Sequence, residues 1–245
     1  MQKRIYGLLG FPLAHSFSKA YFEEKFRKES IKNTTYENFV LPKIEEVELL
    51  LVKENLQGFN ITTPYKKLII PYLNALDSTT EKIGAVNCVK KTGNSWTGYN
   101  TDILGFENSL RPLLQAHHSK AVVLGTGGAS RAVCFVLEQL GIKITKVSSQ
   151  EKEECINYYD LDYDLINSNK LIINTTIVGA FPNTDNSPDI PYEYLSPSHL
   201  CYDLTYHPAE SMFLKKSSAM GAETKNGLEM LILQAEESWR IWNLK

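Results

Sequence analysis

The stretch Gly58-Phe59-Asn60-Ile61-Thr62-Thr63-Pro64-Tyr65-Lys66-Lys67 gathers hydroxyls, an amide and amines beside an apolar run. Its pattern predicts a buried strand, a tight turn and then a helix. Gly58 opens it, and Pro64 sits in the first helical turn, where a missing N–H is tolerated. Such a turn sets these polar groups at the rim of a sheet, where open α/β folds hold ligands. Leu68, Ile69 and Ile70 follow Lys66, and apolar surroundings lower a lysine's pKa toward a range useful for proton transfer. Taken alone, the same residues also describe a surface turn with solvated lysines.

Further polar clusters recur along the chain. Ser16-Phe17-Ser18 precedes Ala20, Tyr21, Phe22 and Phe26 in a helical pattern. Either serine can cap that helix, and both hydroxyls could also face a carboxylate at its N-terminus, where backbone donors and the macrodipole favour an anion. Asn87 lies on a strand over 85–90. Asn100-Thr101-Asp102 leads into a helix from about Ile103, with Asn100 or Asp102 as its N-cap. Gln234 interrupts a mostly apolar helix over 227–242, where its amide needs backbone, water or ligand partners.

From Ala121 the texture changes. The strand 121–124 runs into Gly125-Thr126-Gly127-Gly128-Ala129-Ser130-Arg131 and a helix through Leu140, stopped by Gly141, with the next strand over 142–147. A strand, glycine turn, helix and strand in this order is the context that a dinucleotide fingerprint requires. Its glycines permit a tight turn and close approach of backbone amides to a pyrophosphate. The last position of the general G-x-G-x-x-G pattern is Ser130 rather than glycine. Strands over 171–174 and 200–204 follow, the first leading to Thr175-Thr176 and Gly179, the second to Tyr206. The segment 150–170 is too irregular to predict a helix.

The elements needed to position these groups alternate strand and helix. Strands are expected over 5–9 and 36–41, and helices over 44–52, over 78–83 capped by Ser78, and over 210–220 closed by Gly221. Gly93-Asn94 marks a hairpin turn. The fold class is therefore α/β with two domains: 1–102, 103–225, and a C-terminal helix over 226–245 returning to the first. At 245 residues, 43% hydrophobic and 22% charged, with a net charge of −2, composition favours neither nucleic acid nor an anionic membrane as partner. The scattered Cys88, Cys134, Cys155 and Cys201 fit neither a zinc site nor a disulfide framework. His117-His118 reads as a polar loop rather than a metal site. The apolar part of the N-terminal stretch is broken by Gly7, Gly10 and Pro12, too short for a signal peptide. No apolar run approaches the roughly 20 residues that span a bilayer. A cytoplasmic protein without membrane or nucleic-acid partners is expected.

Together these stretches resemble the shikimate dehydrogenase family nearly end to end. Ser16-Phe17-Ser18 is similar to its Ser-x-Ser, Asn60 to Lys66 to its Asn-Val-Thr-x-Pro-x-Lys, and Gly84-Ala85-Val86-Asn87 and Asn100-Thr101-Asp102 to its next signatures. Gly125 to Arg131 resembles its glycine loop, Asn174-Thr175-Thr176 its strand end, and Gly227-Leu228-x-Met230-Leu231-x-x-Gln234-Ala235 its closing helix. The resemblance implies a substrate-binding domain and a Rossmann-like dinucleotide domain with a cleft between them. It also implies reversible oxidation of shikimate by a nicotinamide dinucleotide. Ser16 and Ser18 would hold the substrate carboxylate, and Thr62, Asn87, Asp102 and Gln234 its hydroxyls. Lys66 would be the acid/base, paired with Asp102, and Tyr206 a further contact. Gly125, Thr126, Gly127, Gly128, Ala129, Ser148, Ser149, Leu204 and Gly227 would meet the cofactor. No metal is implied, and the assembly would be a monomer or homodimer. One departure stands out. The family commonly carries Asn-Arg-Thr after the second strand of its nucleotide domain, the arginine gripping the 2′-phosphate of NADP. Here the aligned residues are Ser148-Ser149-Gln150, with Lys146, Lys152 and Arg131 as the nearby cations. NADP is the expected cofactor, with NAD or dual use open. Quinate as substrate, or a non-catalytic sensor, are the alternatives.

Overall fold

The chain folds into two α/β units, residues 1–101 with 235–245, and residues 102–234. The computed structural model describes residues 3–13 and 17–244.

In the first unit the chain runs β1 (Arg4–Gly10), α1 (Phe17–Lys28), β2 (Thr34–Val40), α2 (Val47–Leu51), β3 (Gly58–Ile61), β4 (Ala75–Leu76), α3 (Ser78–Ile83), β5 (Cys88–Thr92) and β6 (Ser95–Tyr99). The sheet order is β2-β1-β3-β5-β6-β4. β1 pairs parallel to β2 and β3, whereas β5 pairs antiparallel to both β3 and β6. Gly93, at φ +60°, makes the predicted hairpin turn between β5 and β6. One face buries Leu9, Phe59, Ile69 and Val89. The other is built around aromatic rings: Phe22 stacks on Tyr36 at 4.6 Å and Tyr6 on Trp242 at 4.7 Å. Burying each such ring contributes about 2–3 kcal/mol from area alone.

The second unit holds α4 (Asp102–Leu110), β7 (Lys120–Leu124), α5 (Gly128–Gln139), β8 (Lys143–Val147), β9 (Cys155–Ile156), α6 (Tyr163–Ser168), β10 (Leu171–Asn174), β11 (Leu200–Asp203), α7 (Met212–Ala219), β12 (Glu223–Lys225) and the start of α8 (Leu228–Asn243). Its sheet is all parallel in the order β12-β11-β10-β7-β8-β9. Strands buried on both faces need near-continuous apolar runs, which β7, β10 and β11 supply. The chain winds outward from β7 in both directions, so the strand order reverses between β7 and β10, the place where doubly wound sheets open a ligand crevice.

Several sequence expectations need correction. The segment after β3 is not a regular helix: residues 63–69 form successive turns, followed by a 3₁₀ turn over Ile70–Tyr72. Pro64 and Pro71 bracket it too closely, and the residue before a proline disfavours helical angles. The cap of α3 is Asp77, whose carboxylate accepts from Thr79 N at 2.9 Å, rather than Ser78. α4 begins at Asp102 itself, so neither Asn100 nor Asp102 is its N-cap. Asn100 instead donates its amide to Ala85 O at 2.8 Å. The irregular 150–170 segment contains β9 and α6.

Candidate active site

The first unit places two of its candidate residues, Ser18 and Asn87, on a buried hydrogen-bond network. Asn60, on β3, accepts from the Tyr36 hydroxyl at 2.9 Å and donates to Asn87 O at 3.2 Å and Ser238 Oγ at 2.8 Å. Asn87 accepts from Thr101 N at 2.7 Å and donates to Thr101 Oγ1 at 3.0 Å. Thr101 Oγ1 lies 3.2 Å from Ser238 Oγ, which closes the circuit. Ser18, the second residue of α1, is buried and hydrogen-bonds the Tyr36 hydroxyl. It therefore does not cap α1. Ser16 lies outside the described residues. Burial pushes the Tyr36 hydroxyl well above its ordinary pKa and the Cys88 thiol, beside Ser238, up to about 12, so both stay neutral. A fully paired network of neutral groups avoids the cost of burying polar atoms unmatched, and it fixes each side chain in one orientation.

Thr62 and Lys66 lie on the turn that follows β3. Thr62 N donates to Leu9 O at 2.9 Å, and Val86 N donates to Lys66 O at 2.7 Å. The turn is thus tied to β1 on one side and to the approach to β5 on the other. Lys66 is half-buried, while Leu68 is exposed. The sequence singles out Asn87 and Thr62 as candidates but gives no role to Ser238, Tyr36 or Thr101. One signal was available: Ser238 falls four residues after Gln234, on a helix face that also buries Ala235 and Trp242. A small polar residue on a buried stripe must find a partner.

In the second unit Asp102 opens α4 and is 6% exposed; Gln234, on α8, is 7% exposed. Gly105 brings the two helices together, since a Cβ there would lie 3.1 Å from Gln234 Cβ. Gln234 Nε2 donates to Leu231 O at 2.9 Å. An acid in the first turn of α4 is favoured by the positive end of the helix.

The glycine turn lies at the switch point. Gly125 adopts φ +102°, and a Cβ there would come within 2.9 Å of Thr175 Oγ1, so the position is restricted to glycine by both angle and space. Thr175 Oγ1 donates to Leu124 O at 2.6 Å, holding the ends of β7 and β10 side by side. Asn174 donates to Asp203 Oδ1 at 3.0 Å and accepts from Thr176 N at 3.0 Å, and Ser211 donates to the same Asp203 carboxylate. α5 starts after Gly127 with no side-chain cap, and a Cβ on Gly127 would meet no atom within 4 Å. The first-turn N–H groups of α5 therefore have no capping side chain. That donor set suits a pyrophosphate, so the residues present fit a dinucleotide. Leu204 and Gly227 are brought together: Gly227 N donates to Thr205 O at 3.0 Å, and a Cβ on Gly227 would lie 2.1 Å from Leu204 O. Ser148 is buried and accepts from Gln150 N at 3.1 Å, whereas Ser149 is exposed. Tyr206 is half-buried, which raises its pKa.

The second unit thus has the architecture of a dinucleotide-binding α/β fold. The sequence pattern of the shikimate dehydrogenase substrate binding domain matches residues 8–89. A shikimate dehydrogenase (NADP(+)) of Methanococcus maripaludis is 37% identical over 98% of this chain and 91% of its own length. Among solved structures, shikimate dehydrogenase from Aquifex aeolicus is 32% identical with a TM-score of 0.87, covering 98% of this chain and 92% of that one. Shikimate 5-dehydrogenase from Thermus thermophilus, solved with NADP(H) and shikimate, is 29% identical with a TM-score of 0.86, covering 98% and 93%. The chain belongs to the shikimate dehydrogenase family.

Proposed function

We infer that this protein catalyses the reversible, NADP-dependent reduction of 3-dehydroshikimate to shikimate. The observation that carries the reading is likeness to NADP-dependent shikimate dehydrogenases across 98% of the chain. The Asn60-to-Lys66 turn and the glycine turn supply two chemically different kinds of binding group, as such a reaction needs.

Oxidising a secondary alcohol removes a proton from oxygen and a hydride from carbon. A nicotinamide dinucleotide held at the glycine turn would supply the hydride acceptor in one direction and the donor in the other. In our reading Lys66 takes the hydroxyl proton in oxidation and returns it to the ketone oxygen in reduction. Asp102 accepts a hydrogen bond from a substrate hydroxyl. Ser16 and Ser18 bind the carboxylate, and Thr62, Asn87, Gln234 and Tyr206 complete the substrate contacts. The first-turn amides of α5, with Gly125 to Ala129, Ser148, Ser149, Leu204 and Gly227, hold the dinucleotide. Residues 1–102 then act as substrate domain, 103–225 as nucleotide domain, and 226–245 as the helix that returns to the first. We place the enzyme in aromatic amino acid biosynthesis in the cytoplasm, as a monomer or homodimer. Among the described residues no helix is long and apolar enough to cross a membrane.

The test is nicotinamide absorbance with purified protein and shikimate, in parallel with NADP and NAD. Reduction of NADP supports the reading, and reduction of NAD alone would change the cofactor. Ser149, uncharged and exposed at the end of β8, is the observation that keeps an NAD-using enzyme in view. If folded protein reduces neither, quinate is the next substrate to try. Failure there would favour a sensor that binds without turnover.

A further inference from the structure

Resting on the dinucleotide reading, a further question is what meets a 2′-phosphate where no arginine follows β8. In doubly wound nucleotide sheets the ribose 2′ position lies between the glycine turn and the end of the second strand. A carboxylate there selects NAD, and a nearby cation accommodates NADP. Here the strand end is uncharged: Ser148 turns its hydroxyl inward to Gln150 N at 3.1 Å, and Ser149 and Gln150 are exposed. Lys146 is paired with Glu154 at 3.1 Å.

Lys152 is placed differently. The chain after β8 folds back so that Ser148 N donates to Ile156 O at 3.0 Å and Cys155 N to Lys152 O at 3.2 Å, which starts β9 alongside β8. From that return turn the Lys152 ammonium reaches across to donate to the Thr126 hydroxyl, inside the glycine turn. Its side chain therefore spans the interval in which the adenosine ribose would lie. We propose that Lys152 is the specificity-determining cation of this chain, receiving the 2′-phosphate of NADP from the far side of the turn, with the Ser149 hydroxyl as a neutral second donor.

The neighbouring acids limit the discrimination. Glu151 and Glu153 flank Lys152 and are exposed, as is Glu154, so the local charge opposes a phosphate and solvent screens the attraction. The expected preference is consequently small, about fivefold to tenfold for NADP over NAD, and it shrinks as ionic strength rises.

Calorimetric titration of the full chain with NADP and NAD, and with adenosine 2′,5′-bisphosphate and AMP, reads this directly and needs no turnover. Lys152→Gln keeps a donor toward Thr126 and removes the charge. It should weaken NADP and the bisphosphate by about fivefold to tenfold and leave NAD and AMP within about twofold. Ser149→Arg should raise affinity for NADP and adenosine 2′,5′-bisphosphate, the two ligands with a 2′-phosphate, in both backgrounds. Equal affinities in wild type and Lys152→Gln would overturn the inference while leaving the dinucleotide reading intact. Absence of binding by any of the four ligands to folded wild-type protein would overturn the dinucleotide reading itself, and this inference with it.

Discussion

The two candidate binding regions arrange their polar groups by opposite means. Around Asn60 and Asn87 the groups are side chains, buried and locked by one another: Tyr36, Asn60, Asn87, Thr101 and Ser238 are each no more than 4% exposed. Around Gly125 and Gly127 the candidate donors are the first-turn backbone N–H groups of α5, which follow a glycine at φ +102° and have no side-chain cap. A network of side chains can discriminate one arrangement of hydroxyls from another, because each group has a fixed donor or acceptor role. A glycine turn reads only the negative charge and shape of a pyrophosphate, and in our reading identity beyond that comes from the exposed loop after β8. The difference teaches where specificity is rigid and where it is easily changed.

Three substitutions test this contrast. The largest effect should come from Lys66→Ala, which removes the proposed proton carrier while leaving both regions' geometry in place. Turnover should fall by about 10²- to 10⁴-fold, with shikimate binding retained in a direct titration; near wild-type turnover would take Lys66 out of the mechanism. Gly125→Ala forces a side chain into a left-handed backbone position against Thr175, costing about 1–3 kcal/mol. Dinucleotide affinity should drop by about tenfold to a hundredfold, and shikimate binding should not move. An equal loss for both ligands would mean the regions are less independent than the contrast claims. Ser238→Ala leaves Asn60 and Thr101 short of a partner, at about 1–2 kcal/mol. The shikimate KM should rise about fivefold to thirtyfold, with the dinucleotide KM unchanged and partial rescue by Ser238→Thr. Unchanged shikimate kinetics would reduce the network to a packing feature.

Sequence was informative where a residue's role is local. Gly125, Gly93 and Gly141 mark turns because only glycine enters positive φ at little cost, and all three turns are where their spacing predicts. The apolar runs of β7, β10 and β11 identified a buried parallel sheet. What the sequence hid is either short or distant. β4, β9 and β12 are two- or three-residue strands that hold their conformation by pairing with a neighbour rather than by their own pattern. Asp77 displaced Ser78 as cap because either residue type suits the position, and a one-residue shift is invisible to propensity. The Asn60–Ser238 bond joins residues 178 positions apart, and no periodicity in either segment announces the other. His118 illustrates a correct local reading: its Nδ1 accepts from Gln115 N at 3.1 Å within the loop before β7.

Helix α8 carries a consequence for how the polypeptide matures. Its early residues belong to the second unit, but Ala235, Ile241 and Trp242 are needed by the aromatic face of the first, where Trp242 Nε1 donates to Val89 O at 3.0 Å. During synthesis the ribosome delivers 102–234 before it delivers those residues. The unit made first is thus the unit completed last. Until then its half-built face leaves Tyr6, Phe22 and Tyr36 without the indoles that cover them, a nascent-chain interval in which a chaperone would find its ligand.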